Sequence, residues 1–290
     1  MTNIRPLAEL ISLENPKPLV ISHRGEWTKA PENSIEAMLI AADMGADMVE
    51  LDVQRTTAGH LYLMHDDTTD RMTNRAGLTT SVQEDEFKTL FLRQGEGGPA
   101  APVTGVAVPN LRRTLEAARD KVHLNIDTKH RRDLEAVGDL VRDMGLADQV
   151  LIKMIVDPTK PDATIKEARW FKDLTFMPVM LDPRPGKMAE DALTLTRYYD
   201  AKMLEISFLS LEELSEVSDI MRREGVRLWC NTLDSVHPLD YKDTRALADP
   251  EGVWGTLLRH GIGAIQTDHV SRLMAHLQEA ADQGAIEPTH

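Results

Sequence analysis

Short apolar, β-branched runs alternate along this chain with stretches whose apolar residues recur at helical spacing. The runs fall at 19–22 (LVIS), 47–53 (DMVELDV), 122–127 (VHLNID), 150–155 (VLIKMI), 175–181 (TFMPVML), 202–207 (KMLEIS), 226–231 (VRLWCN) and 262–267 (IGAIQT). Each gap leaves room for a helix and two loops. Strands separated by helices pair in parallel, and eight such units predict an α/β chain closed as a (β/α)8 TIM barrel. Over 33–44, Ile35, Met38, Leu39 and Ala42 share a face, Asn33 and Glu36 have capping-box spacing, and Gly45 supplies the stop. Residues 211–224 repeat the pattern with Ser210, Glu213 and Gly225 around an inward face of Leu211, Leu214, Val217 and Met221.

A ninth run, 60–64 (HLYLM), follows strand 47–53 after a short turn. A parallel crossover needs about a dozen residues, so this run folds back as an extra hairpin strand after barrel strand 2. That places His65, at its end, near the barrel mouth. Residues 66–109, punctuated by GEGGPAAPVTG, are the least regular stretch and read as an insertion over the mouth. Residues 1–18 read as an N-terminal extension with a short helix beside or beneath the barrel, and 282–290 as a polar, disordered tail. The whole of 1–290 reads as one domain.

Composition narrows the partners. A formal charge of −14 leaves no basic field for a nucleic acid and suits a monomer or small homo-oligomer better than a protein held on anionic lipid. The single cysteine, Cys230, excludes an intrachain disulfide and favours a reducing compartment. The start, MTNIRPLAELISLENPKP, is a poor signal peptide, and no run approaches the ~18 apolar residues of a span. The expectation is a cytoplasmic protein with no stable membrane insertion.

In a barrel, chemistry gathers at the C-terminal ends of the strands. Read there, the sequence offers His23-Arg24-Gly25, Glu50-Leu51-Asp52, His65-Asp66, Asp127-Thr128-Lys129, and Trp229 with Asn231. Glu50 and Asp52, two apart on a strand, leave the same face, and unpaired carboxylates converging in an interior are unfavourable. A divalent cation with oxygen ligands, completed by Asp127, compensates them; salt bridges to Arg24 and Lys129 are the alternative. An imidazole side chain changes charge near neutral pH, so His23 and His65 suit general acid and base roles. Arg24 and Lys129 suit a phosphate, or simple charge balance. Trp229 walls a pocket or fills the core.

The run ISHRGEWTKAPENSIEAMLIAADMGADMVELDVQRTTAGHLYLMHDDTTDRMTN, with VPNLRRTLEAA, LNIDTK, VRLWCNTLD and GIGAIQTD following in order, resembles the glycerophosphodiester phosphodiesterase family. The resemblance covers residues 19–268 and implies hydrolysis of a small-molecule glycerophosphodiester to glycerol 3-phosphate and an alcohol, with Mg²⁺ or Ca²⁺. It gives His23 and His65 the acid–base roles and makes Glu50, Asp52 and Asp127 metal ligands. Arg24 and Lys129 become phosphate contacts, and Trp229 a substrate-pocket aromatic. The family usually carries Glu at the Asp127 position, so this chain reaches the metal with one methylene less. A phospholipase D-like lyase acting on lysophospholipids is the alternative activity. A non-catalytic binding protein on the same barrel is the alternative from another class.

Overall fold

A computed structural model describes residues 4–283 of the chain. The strands are β1 (Leu19–His23), β2 (Met48–Arg55), β3 (Leu61–Leu63), β4 (Phe91–Arg93), β5 (Val103–Ala107), β6 (His123–Thr128), β7 (Val150–Ile155), β8 (Thr175–Met180), β9 (Met203–Ile206), β10 (Arg227–Asn231) and β11 (Ile262–Thr267). Nine of them form one sheet in the order β1-β11-β10-β9-β8-β7-β6-β2-β3, and β1 also pairs with β2. Eight parallel strands thus close a barrel, with helices between them. The ninth strand, β3, runs antiparallel to β2, Val53 opposite Leu63, as the short connection requires. Among the described residues no helix is long and apolar enough to cross a membrane. From residue 284 on, the disorder expected for 282–290 falls outside the described residues.

Two compact units are distinguishable. The first contains His23–Ile152 and Lys172–Leu174. Its barrel strands are buried almost throughout, β2 from Met48 to Gln54, although every second residue of that strand from Glu50 to Gln54 is polar. The insertion is more ordered than its sequence suggested. Short β4 and β5 pair antiparallel, and Tyr62, Met64, Met72, Val82, Leu90, Leu92 and Val108 form a buried cluster with Phe87 and Val106 against it. At about 1.5–3 kcal/mol for each large apolar side chain buried, that cluster suffices to order the segment locally.

The helix predicted over 33–44 spans Ile35–Asp43, and its N-cap is Ser34, whose hydroxyl accepts from the Ala37 amide. Asn33, expected to cap, instead adopts φ +54° one residue earlier and turns its side chain elsewhere. The buried face is also rotated: Ala37, Met38 and Ala41 are buried, while Ile35, Leu39 and Ala42 are half-buried. Gly25 explains the shift. At φ +82° its backbone presses so closely on this helix that a Cβ would stand 2.6 Å from the Ala37 carbonyl carbon, so small residues must face it.

The second unit contains Arg5–Ser22, Lys153–Phe171 and Thr175 onward. The predicted N-terminal helix is one short turn, Leu7–Ile11, with Leu7, Leu10 and Ile11 buried. Arg227 of β10, itself buried, fixes the segment by donating to the Ile11, Ser12, Asn15 and Lys17 carbonyls. Ser210 caps Leu211–Arg223 as predicted, accepting from Glu213 N, with Leu214, Val217 and Met221 buried. The reciprocal half of that box is missing, because Glu213 accepts from Gly186 N.

Candidate active site

Strand β2 alternates its side chains, so Glu50, Asp52 and Gln54 leave one face about 7 Å apart along the strand. All three are buried. Parallel pairing with β6 sets Asp127 in register with Asp52. The result is a group in which Glu50, Asp52 and Asp127 each bring a carboxylate oxygen within 4.8 Å of the others. Oxygen donors at that spacing match a hard divalent cation, whose ligands stand roughly 2.0–2.6 Å from the ion.

The cations named in the sequence lie against these acids. Lys129 Nζ stands 2.9 Å from Asp52 Oδ1 and 3.1 Å from Asp127 Oδ2. Arg24 follows β1 with φ +54°, and its amide donates to the Glu50 carbonyl. Its Nε is 2.9 Å from Asp52 Oδ2 as an ion pair, off the line of a hydrogen bond. Asn33 holds the same residue twice: its Nδ2 donates to Asp52 Oδ2 at 2.8 Å, and its Oδ1 accepts from Asp52 N at 2.9 Å. Burial opposes ionisation of Asp52, yet Lys129, Arg24, His65 and Asn33 together hold it well below the usual carboxylate range. Burial likewise disfavours the charged Arg24 and Lys129, and the carboxylates around them raise both above their ordinary values.

Salt bridges and a cation site are therefore not exclusive here. Leaving the histidines aside, this connected group holds five carboxylates (Glu32, Glu50, Asp52, Asp66, Asp127) and three fixed cations (Arg24, Arg71, Lys129). Asp52 Oδ1 accepts from Lys129 and retains a second lone pair for a ligand bond. The residues present fit the ion.

His23 ends β1 and is buried. His65 is 38% exposed, with Nδ1 2.8 Å from Asp66 Oδ1. A carboxylate at Nδ1 fixes the proton there and presents Nε2 outward. Arg71 grips Asp66 with both edges of its fork, Nε to Oδ2 at 2.7 Å and Nη2 to Oδ1 at 2.9 Å. Though burial opposes it, those contacts with His65 and Arg71 hold Asp66 far below the usual range. Gln54 anchors the same loop, its amide donating to the Met64, His65 and Asp66 carbonyls. The sequence names Asp66 only beside His65, without a role, and gives no sign of Glu32, Asn33 and Arg71 as site residues. Gln54, also missed, was within reach of the period-two pattern already applied to Glu50 and Asp52.

Trp229 belongs to the second unit. It is fully buried, donating from Nε1 to Asn231 Oδ1 at 2.8 Å, while Asn231 donates to Glu205, which pairs with buried Lys153 at 3.0 Å. Burial pushes the neighbouring Cys230 thiol up, in keeping with an inert side chain.

Comparison with known proteins adds names to this geometry. A family model described as a domain of unknown function, DUF4996, matches residues 176–277. A glycerophosphodiester phosphodiesterase of Caldanaerobacter subterraneus subsp. tengcongensis is 41% identical over 116 residues, 39% of this chain and 46% of that protein. The match thus spans less than half of the relative's length. In structure, a glycerophosphoryl diester phosphodiesterase of Parabacteroides distasonis superposes with TM-score 0.73 at 23% identity, over 99% of this chain and 94% of its own. An Oleispira antarctica phosphodiesterase, solved with its product sn-glycerol-3-phosphate, gives TM-score 0.68 at 20% identity over 92% and 99%. Most of the curated relatives and solved structures that this chain resembles are named glycerophosphodiester phosphodiesterases, and its barrel is the fold that the solved structures share.

Proposed function

We propose that this chain hydrolyses glycerophosphodiesters to glycerol 3-phosphate and an alcohol, using a divalent cation, Mg²⁺ or Ca²⁺, held by Glu50, Asp52 and Asp127. It acts as a single barrel domain, a monomer or small homo-oligomer, on a small-molecule substrate in the cytoplasm. The observation that carries this reading is the three-carboxylate group bounded by Arg24, Lys129 and His65. When bound, the cation supplies charge neutralisation at a phosphoryl oxygen.

The chain's own residues supply the rest. Lys129 has three N–H donors, and Asp52 and Asp127 take two of them. The third, with the outer Nη2 edge of Arg24, orients the phosphate and offsets charge developing on it. His23 and His65 are the proton-transfer pair. One removes the proton from the attacking oxygen as that oxygen bonds to phosphorus; attack by water gives glycerol 3-phosphate directly, whereas attack by the glycerol 2-hydroxyl gives a cyclic phosphate that water then opens. The phosphorus–oxygen bond to the alcohol breaks, and the other histidine protonates the departing alkoxide.

The test is release of glycerol 3-phosphate from a panel of glycerophosphodiesters, with chelator and with Mg²⁺ or Ca²⁺ restored. Cation-dependent release is expected. Failure to release it under any of these conditions refutes the proposal, and a cyclic phosphate seen as end product by ³¹P NMR reassigns the chain as a lyase.

A further inference from the structure

The glycine-rich stretch of the insertion is not absorbed by the chemistry above, yet it touches its supports. At the turn Gln94–Gly98, Gly97 sits at φ +74° against the Arg71 backbone and the Met72 side chain, with a Cβ excluded by the Arg71 carbonyl and by the Met72 sulfur. Gly98 N donates to that same Arg71 carbonyl at 2.7 Å. The Glu96 carbonyl accepts from Arg71 Nη1. The Gly95 carbonyl accepts from Glu32 N at 3.0 Å.

Arg71 and Glu32, both seated on this turn, are paired with each other through Nη2 and Oε1 at 2.7 Å. Each then reaches one functional group. Arg71 holds Asp66 in a bidentate fork, and Asp66 holds His65 Nδ1. Glu32, 1% exposed, holds Arg24 Nη1 at 3.2 Å through both oxygens. Arg71 is 31% exposed, so core packing does not account for it.

We propose that the Gln94–Gly98 turn and Arg71 form a brace that positions His65 and Arg24, giving the insertion a part in turnover rather than a role as a cover. The inference rests on the proposed acid–base role of His65. Arg71 and Glu32 are positioning residues, acting through their partners. The fork fixes the plane of Asp66, which fixes the His65 tautomer, and Gly97 supplies the close approach that seats the fork.

The test compares Arg71→Gln and Gly97→Ala with the wild-type full chain, by steady-state kinetics on glycerophosphocholine and by ¹⁵N NMR of the His65 ring. Wild type is expected to show the Nδ1–H tautomer. Both variants should mix tautomers and lower kcat roughly 10–100-fold, the range seen when outer supports of a site are lost, with a smaller change in KM. Arg71→Gln should cost less in a His65→Ala background than in wild type. If Gly97→Ala fails to fold, Arg71→Gln carries the same reading, because it leaves the turn backbone as it is. An Nε2–H ring in wild type, or variants with wild-type tautomer and kcat, overturns the brace. If wild type releases no glycerol 3-phosphate, the proposed function fails, while the ring spectrum still reports whether the brace holds.

Discussion

Gly25 and the two histidines represent different kinds of necessity. A methyl group at Gly25 would meet the Ala37 backbone at 2.6 Å and hold an L-residue at φ +82°. The obstacle is main chain and does not swing aside. Gly25→Ala is therefore expected to cost at least about 3 kcal/mol in urea unfolding, or to prevent soluble accumulation. His23→Ala and His65→Ala should do the reverse, keeping a native circular dichroism spectrum while activity falls at least ~10²-fold. Near-normal turnover in either variant removes that ring from the proton-transfer pair. Most groups of the candidate site were legible as residues: His23, Arg24, Glu50, Asp52, His65, Asp127 and Lys129 stand at predicted strand ends. The supports were not. Nothing in the local sequence says that Asn33 leaves the helix cap to bind Asp52, because that contact joins segments nineteen residues apart.

Strand periodicity carried the barrel. All eight predicted runs are strands, and the hairpin followed from a connection too short for a crossover. Helix faces were less legible, because Ile35–Asp43 turns small residues inward to meet Gly25, a choice made by the neighbour. The end of β10 holds a second long-range device. Asp243 accepts from the Thr232 and Thr267 hydroxyls and from Asp268 N, joining β10, β11 and the helix Asp243–Ala248. Burial pushes its carboxyl up to about 6. A raised carboxyl binds its proton more tightly folded than unfolded, so its contribution is full below pH ~4 and lost as pH rises through ~6. The stability of wild type relative to Asp243→Asn should accordingly fall by about 2 kcal/mol from pH 4 to pH 7.5. A flat difference in urea midpoints across that range would show that Asp243 does not titrate there.

Over the whole molecule, a charge of −14 and the convergence of Glu50, Asp52 and Asp127 favour cation uptake. Ligand that binds the folded chain stabilises it by about 2.7 kcal/mol at a hundredfold excess over Kd. Mg²⁺ or Ca²⁺ should thus raise Tm, chelator should reverse the rise, and Glu50→Gln should abolish it. A Tm indifferent to both cations would leave Arg24 and Lys129 as the whole answer to the acids.

The common face of Glu50, Asp52 and Gln54 has one more consequence. A strand that slips by a single residue exchanges its two faces, and a slipped β2 would withdraw two carboxylates and the tether of the His65 loop in one step. Errors of assembly in this strand therefore yield an inert chain rather than a half-competent one, so fidelity of folding and fidelity of reaction are inherited together.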